Sequence, residues 1–278
     1  MQWSIGDTQV MLISAGAFVD DAALFFTGNT YPNKRPRQIT LALNCLLICS
    51  GNKRLLIDTG FGNKPGCCDD VEFVSEARQL MQELRARGVE PGEIDIVINT
   101  HLHADHSGGN TIISARGLEP AFAHAEYWIQ QGEWEEALSI ESWQRALYRP
   151  DDFAPLQSSG RVRWLHGDTQ VTPGVRCLVV PGHTSWHQCI EVSSAGRSLL
   201  FLGDLAPTRH HLEHPSLCSA VDLDPQLSVS SRRRFCQKAV AEQSIVILAH
   251  EPAAGYLMPG SDQREEFCFV PITQCSSA

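Results

Sequence analysis

Asn99-Thr100-His101-Leu102-His103-Ala104-Asp105-His106-Ser107-Gly108-Gly109-Asn110 is the stretch on which the reading of this chain turns. Three imidazoles and one carboxylate fall within six positions, in a sequence with only 11 histidines among 278 residues. Neutral imidazole keeps a lone pair near pH 7 and is the commonest side-chain ligand for divalent transition metals. The preceding run, Ile94 to Ile98, is apolar apart from Asp95, as expected of a largely buried strand. In extended chain His101 and His103 lie on one side, so both can face one ion. Asp105 and His106 follow as the chain turns and can face a second. Gly108-Gly109 permits a sharp turn, after which a helix is expected to start near Asn110. Chance crowding of surface histidines is the competing reading, and so dense a cluster of ligand types argues against it.

Further along, three positions repeat the same local context. Pro181-Gly182-His183-Thr184 follows the apolar run Cys177 to Val180, Gly203-Asp204 follows Leu199 to Leu202, and Ala249-His250-Glu251-Pro252 follows Ile245 to Leu248. A His or Asp at one strand end is usually structural. Four metal-capable strand ends in one chain point instead to a site assembled on rigid elements.

Around these motifs strands and helices alternate. Val10 to Ile13, Leu41 to Cys49 and Arg54 to Ile57 are apolar runs, and Ser50-Gly51-Asn52-Lys53 joins the last two as a hairpin. Glu72 to Arg87 has apolar residues at three- and four-residue steps, which predicts an amphipathic helix stopped by Gly88. His124 to Leu147 reads as an irregular helix bearing Trp128, Trp134 and Trp143. Short strands are expected near Val162 to Leu165, Cys177 to Val180, Gln188 to Val192 and Ser198 to Leu202. Gln226 to Glu242 reads as a helix and Ile245 to Leu248 as a last strand. Two face-to-face sheets with outer helices fit this α/β order, and so does a single Rossmann-like sheet. The long polar stretch Thr27 to Gln38 implies a job, such as covering a site or meeting another chain.

Composition bounds the function. Hydrophobic residues make up 43% and charged residues 19%, an ordinary globular balance. The net charge of −10 is a poor match for nucleic-acid phosphates, so no nucleic-acid partner is expected. Arg232, Arg233 and Arg234 form a local basic run, read as a solvated helix face. No stretch approaches the roughly 20 apolar residues of a membrane span, and the N-terminal residues lack a signal-peptide pattern, so a cytoplasmic protein without membrane contact is expected. The 10 cysteines include no C-x-x-C pair and read mostly as free thiols.

His-x-His-x-Asp-His followed by Gly-His-Thr, Gly-Asp and a final His resembles the metallo-β-lactamase superfamily, over about Leu41 to His250. Leu56-Ile57-Asp58-Thr59-Gly60 resembles its early Asp-Thr-Gly element. The resemblance implies a four-layer αβ/βα sandwich, read as one domain over 1–278, with metals at one edge of the two sheets. Carried over by position, it implies that His101, His103 and His183 hold a first metal. Asp105, His106 and His250 would hold a second, Asp204 would bridge the two, and Asp58 would support the site without binding metal. The cofactor expected is a pair of divalent ions, zinc first, with manganese, iron or cobalt as alternatives.

Two such ions sharing a water lower its pKa enough to give hydroxide near pH 7, for attack on a carbonyl or phosphoryl. Asp105 and Asp204 are the expected catalytic carboxylates, with Asp105 moving the proton. Within the superfamily the chain is most similar to the N-acyl homoserine lactonase-like and organophosphate hydrolase-like branch, through Asn44, the Asp-Thr-Gly element and the overall spacing. A small-molecule lactone or ester is therefore the expected substrate. Many of those lactonases have a Tyr three residues after the bridging Asp, where this chain has Pro207. His210 or His211 is the candidate replacement for that substrate contact, the alternative being rim residues. Whether His124 to Leu147 and Thr27 to Gln38 shape an acyl pocket, or form core helix and homodimer contact, stays open. The rival functions are phosphotriesterase, glyoxalase II-like thioester hydrolase, and mononuclear iron persulfide dioxygenase.

Overall fold

A computed structural model describes residues 1–27, 37–65, 72–74, 80–139, 147–260 and 265–272. The first half of the chain supplies β1 (Gln2–Ile5), β2 (Thr8–Asp21), β3 (Gln38–Ser50), β4 (Lys53–Ile57), β5 (Glu72–Phe73), β6 (Ile96–Ile98), the small hairpin β7 (Thr111–Ser114) and β8 (Gly117–Pro120), β9 (Glu126–Gln130) and β10 (Val162–Leu165). The second half supplies β11 (Thr169–Thr172), β12 (Val175–Val179), β13 (Gln188–Ser194), β14 (Arg197–Phe201), β15 (Ile245–Ile247), β16 (Ala254–Pro259) and β17 (Phe267–Pro271). Apart from β7 and β8, which pair with each other, they form two sheets, ordered β1-β2-β3-β4-β6-β9-β10, with β5 on β2, and β11 through β17 in sequence.

Strand alternation makes the layers. On β3, Leu46 and Ile48 face inward and meet Ile57, Ile96 and Ile98 together with Ile190, Val192, Phe201 and Ile247 of the second sheet. Their neighbours Cys45 and Leu47 point to the opposite face. There they pack under helices α2 (Leu80–Ala86), α4 (Gln131–Leu138) and α5 (Pro150–Ser158), through Leu84, Trp134, Phe153 and Leu156. The outer face of the second sheet is covered by Phe235, Cys236 and Ala239 of α7 (Pro225–Glu242). The order is helix, sheet, sheet, helix, which is the expected αβ/βα sandwich and excludes a single Rossmann-like sheet. Among the described residues no helix is long and apolar enough to cross a membrane.

Several local expectations meet tertiary corrections. The hairpin falls where expected, pairing Ser50 with Lys53 around Gly51 at φ +59°. The expected helix from Glu72 instead begins as a strand, Phe73 pairing with Phe18, and among the described residues of that stretch helix covers Leu80–Ala86. His124 to Leu147 is not one helix. Tyr127, Trp128 and Ile129 lie in β9, parallel to both β6 and β10, and helix starts only at Gln131. A buried parallel strand and a buried helix look alike in an apolar run until neighbours are known. Over Gly108–Asn110 the chain makes a 3-10 turn and then enters strand β7, where a helix was expected near Asn110. Trp143 and most of the stretch Thr27 to Gln38 lie outside the described residues. The described cysteines are all free, with Cys45, Cys177 and Cys189 buried.

The basic run also differs from the expected solvated face. Arg232 is fully buried. Its guanidinium donates to the carbonyl of Leu205 at 2.6 Å, of Pro215 at 2.9 Å, and of Leu217. Asp222 lies 4.0 Å away. Arg233 does reach the surface, where it pairs with Glu266.

Candidate metal centre

Strands β4, β6, β12, β14 and β15 run in one direction within their sheets and deliver their following loops to a single edge. The loop after β6 carries His101 and His103, and the one-turn helix α3 (Ala104–Ser107) carries Asp105 and His106. His183 follows β12, Asp204 follows β14, and His250 follows β15. All seven side chains converge. His101, His103 and His183 form one set whose ligand-capable atoms lie within 4.8 Å of one another, and Asp105, His106, Asp204 and His250 form a second.

The spacings within these sets are those of ligands around an ion. His183 Nε2 lies 3.2 Å from His103 Nδ1, and His106 Nε2 lies 3.3 Å from His250 Nε2. Asp204 turns Oδ1 towards His106 Nε2 at 3.3 Å and His250 Nε2 at 3.0 Å, and Oδ2 towards His183 Nε2 at 3.4 Å. Asp105 Oδ2 lies 3.4 Å from His250 Nε2. Tetrahedral coordination at about 2.0–2.1 Å puts neighbouring ligand atoms roughly 3.3 Å apart. His101 Nε2 is buried without a hydrogen-bond partner, which a metal would satisfy. The residues present therefore fit two divalent cations, with Asp204 offering one oxygen to each set.

Outer partners fix several of these imidazoles. His106 Nδ1 meets Asp58 Oδ2 at 2.9 Å, and His250 Nδ1 meets the Ala42 carbonyl at 2.9 Å. Asp58 also accepts from the Thr100 amide at 2.8 Å and its hydroxyl at 2.9 Å, so one carboxylate orients the whole loop after β6. It does so from a left-handed backbone, φ +57°, which is uncommon for a residue with a side chain. Asn44 donates to Leu248 O at 2.8 Å and Glu251 O at 2.7 Å, bracketing His250.

Burial sets the electrostatics. His101 and His103 are held well below the ordinary histidine range, by desolvation first and then by the neighbouring imidazoles, so both stay neutral as ligands must. Burial also depresses His106, but Asp105, Asp204 and Asp58 outweigh it and hold it well above that range. Burial would raise Asp204, yet His250 and His106 hold it well below the carboxylate range. Divalent cations held in the two sets would be the largest local charges and would replace these imidazole–carboxylate pairings.

Sequence reasoning missed several residues here. Asp222 Oδ1 takes His183 Nδ1 at 3.0 Å, with Arg232 behind it. His187 Nε2 accepts from the Asp204 amide at 3.0 Å, and burial pushes its pKa down to about 3, which keeps it an acceptor. Glu133 lies beneath both loops of the first set. It accepts from the Leu102 amide at 2.9 Å, the Thr184 hydroxyl at 2.6 Å and the Tyr148 hydroxyl at 3.2 Å. None stands in a motif. Only the second histidine of His183-Thr184-Ser185-Trp186-His187 offered a local signal.

A cavity of about 150 Å³ opens over the ligand sets, walled by Phe18, Leu24, Phe25, Phe61, Leu147 and Val221, with Asp20 and Arg149 as its remaining charged lining. His210 and His211 are not part of that lining. His211 is buried, with Nε2 2.8 Å from the Phe25 carbonyl and its ring stacked on Phe26, and burial pushes its pKa down to about 3. His210 sits on the short helix α6 (Arg209–Glu213), its ring edge against Phe26 and Nδ1 3.8 Å from Glu213. A buried joint between α6 and α1 (Ala22–Phe25) uses one of these two.

Fold and centre together define a class: a four-layer sandwich that gathers two His/Asp ligand sets at one edge of its paired sheets. A family model described as the Metallo-beta-lactamase superfamily matches residues 40–250, and the chain belongs to that superfamily. Among curated proteins it is 27% identical to N-acyl homoserine lactonase AiiA of Bacillus thuringiensis subsp. kurstaki over 226 residues, covering 77% of this chain and 82% of that one. Among solved structures it superposes with AidC, a dizinc quorum-quenching lactonase solved with a product bound. That match has TM-score 0.80 and 19% identity, over 98% of this chain and 97% of that one. It also superposes with an N-acyl homoserine lactone hydrolase carrying N-hexanoyl-L-homoserine at its catalytic metal centre. There the TM-score is 0.69 and the identity 25%, over 87% of this chain and 93% of that one.

Proposed function

We propose that this chain is a dinuclear metal-dependent lactonase acting on N-acyl homoserine lactones or closely related esters, with zinc as the expected metal. The observation that carries the reading is Asp204, one oxygen facing each ligand set beneath an apolar cavity. Bound in the two sets, divalent cations supply a lowered pKa for water and Lewis-acid stabilisation of charge on a carbonyl oxygen. His101, His103 and His183 would hold one, and Asp105, His106 and His250 the other. Asp58, Asp222 and the Ala42 carbonyl keep the histidine rings in their tautomers and orientations. Asp105 is the most exposed of the seven, its side chain 19% accessible where the others are buried, and it lines the cavity. It is therefore the group that takes the proton from the attacking water and passes it to the leaving alkoxide. The apolar walls take an acyl chain and exclude competing water.

The test is a hydrolysis panel on zinc-loaded protein: acyl homoserine lactones, aryl esters, a paraoxon-like triester and S-lactoylglutathione, with His106→Ala and Asp204→Ala alongside. Lactone turnover lost in both variants supports the reading. Turnover unchanged in both overturns the mechanism, and preferred hydrolysis of the triester or the thioester overturns the substrate class. Elemental analysis should find two ions per chain. A single iron would favour persulfide dioxygenase chemistry.

A further inference from the structure

His103 differs from the ligands around it. His106, His183 and His250 each direct Nδ1 to an oxygen outside the ligand sets, on Asp58, Asp222 and Ala42. His103 turns Nδ1 inward, 3.2 Å from His183 Nε2, and its own Nε2 is buried without a hydrogen-bond partner among the described residues. An outer hydrogen bond is the usual means of fixing the rotation of a ligand imidazole. Here the ring is oriented instead by what holds its backbone and by the Tyr148 ring, 4.7 Å away, whose residue also forms a β-bridge with His103.

Glu133 stands behind both supports. β9 runs parallel to β6, so α4, which starts where β9 ends, lies beside the loop after β6. Gly132 lets the loop after β12 close onto the same turn, since a Cβ there would come within 2.1 Å of Trp186 Nε1. Glu133 Oε1 accepts from the Leu102 amide at 2.9 Å, between the ligands His101 and His103, and from the Tyr148 hydroxyl at 3.2 Å. Oε2 accepts from the Thr184 hydroxyl at 2.6 Å, next to His183. Leu102 follows a strand of the first sheet and Thr184 a strand of the second. One buried carboxylate thus ties the two sheets together where the first ligand set spans them. The second set has its own supports in Asp58 and the Ala42 carbonyl, and among the described residues no hydrogen bond of the Glu133 carboxylate reaches it.

We infer that Glu133 is a positioning residue of the first ligand set alone: by clamping the loop after β6 to the loop after β12, it holds His103 and His183 at ligand spacing. It does for His103, through the backbone and Tyr148, what Asp58 does directly for His106. The inference rests on the two-metal reading above and adds that the two sets are held by separable supports.

The probe is cadmium-113, whose resonance depends on its ligands. One set offers three imidazoles, the other two imidazoles with Asp105 and Asp204, so each gives its own signal. Wild type, Glu133→Ala, Glu133→Gln, Thr184→Val and Tyr148→Phe are loaded with cadmium. Each resonance is then followed as a chelator is added, well below every variant's thermal midpoint. Ile5→Ala, a buried truncation in β1, controls for lost stability. In Glu133→Ala the affinity of the first set should fall about 10- to 100-fold, with the second set within about threefold of wild type. Glu133→Gln keeps an oxygen for the Leu102 amide and should recover most of that loss. Thr184→Val and Tyr148→Phe each remove one donor and should weaken the first set by less, and they carry the test if Glu133→Ala does not fold. Ile5→Ala should leave both sets within about threefold of wild type. Equal losses in both sets, no loss in either, or an effect matched by Ile5→Ala overturns the inference and leaves the two-metal reading intact. A single cadmium per chain in wild type overturns the two-metal reading, and the role of Glu133 then stands only if its replacement weakens that ion.

Discussion

Replacing Glu133 by alanine should destabilise the fold by about 3–5 kcal/mol, because a buried carboxylate holds three donors. Glu133 is 2% exposed and accepts from Leu102 N, Thr184 Oγ1 and Tyr148 OH. The amide is fixed by the backbone, and stranding it costs about 1–3 kcal/mol. The hydroxyls can turn, and each loses about 1 kcal/mol, with a smaller contribution from the cavity left behind. For a chain of this size the thermal midpoint should drop by roughly 6–15 °C. Glutamine separates shape from charge. Burial pushes the Glu133 carboxyl up from its ordinary 4.5 to about 7, against the pull of its donors. A raised acid pKa means that the folded state holds the proton more tightly than the unfolded one. Its contribution to stability is complete below about pH 4.5 and is lost as pH rises through about 7, a span of about 3 kcal/mol. A neutral glutamine side chain would have no such dependence, so Glu133→Gln should gain on wild type by up to about 3 kcal/mol between pH 5 and pH 8. Urea unfolding of chelator-treated protein at four pH values measures both effects. An alanine variant within about 1 kcal/mol of wild type, or a glutamine difference that is flat with pH, refutes the reasoning.

Other outcomes follow from the same contacts. Asp222→Asn removes the charge on His183 Nδ1 and should weaken zinc retention about 10- to 100-fold in a chelator competition, with the fold intact by circular dichroism. Unchanged retention would show that Asp222 does not orient His183. Arg232→Met should lose about 3–5 kcal/mol in denaturant unfolding, since it frees three carbonyls and leaves Asp222 without its buried cation. A surface-like change under about 0.5 kcal/mol would argue against that burial. Stripping metal should lower the thermal midpoint, and zinc should restore it in a concentration-dependent way, because the ligand sets exist only in the folded chain. A midpoint indifferent to zinc would remove the proposed centre.

The sequence by itself determined the elements whose signal is local. His101, His103, Asp105 and His106 read as ligands because a strand and one turn place them within six positions. His183, Asp204 and His250 could be picked out because each follows a short apolar strand. The Ser50–Lys53 hairpin and most strands of the second sheet were legible for the same reason. What only the tertiary structure decided depends on partners distant in the chain. Tyr127 to Ile129 is a strand because β6 and β10 flank it, and Phe73 is a strand residue because Phe18 pairs with it. Arg232 is a core residue because three carbonyls, 15 to 27 positions away, surround it. Glu133 and Asp222 became parts of the site in the same way. A ligand must carry a particular atom, so composition betrays it, whereas a supporting residue needs only to arrive at the right place, and chain packing alone sets that place.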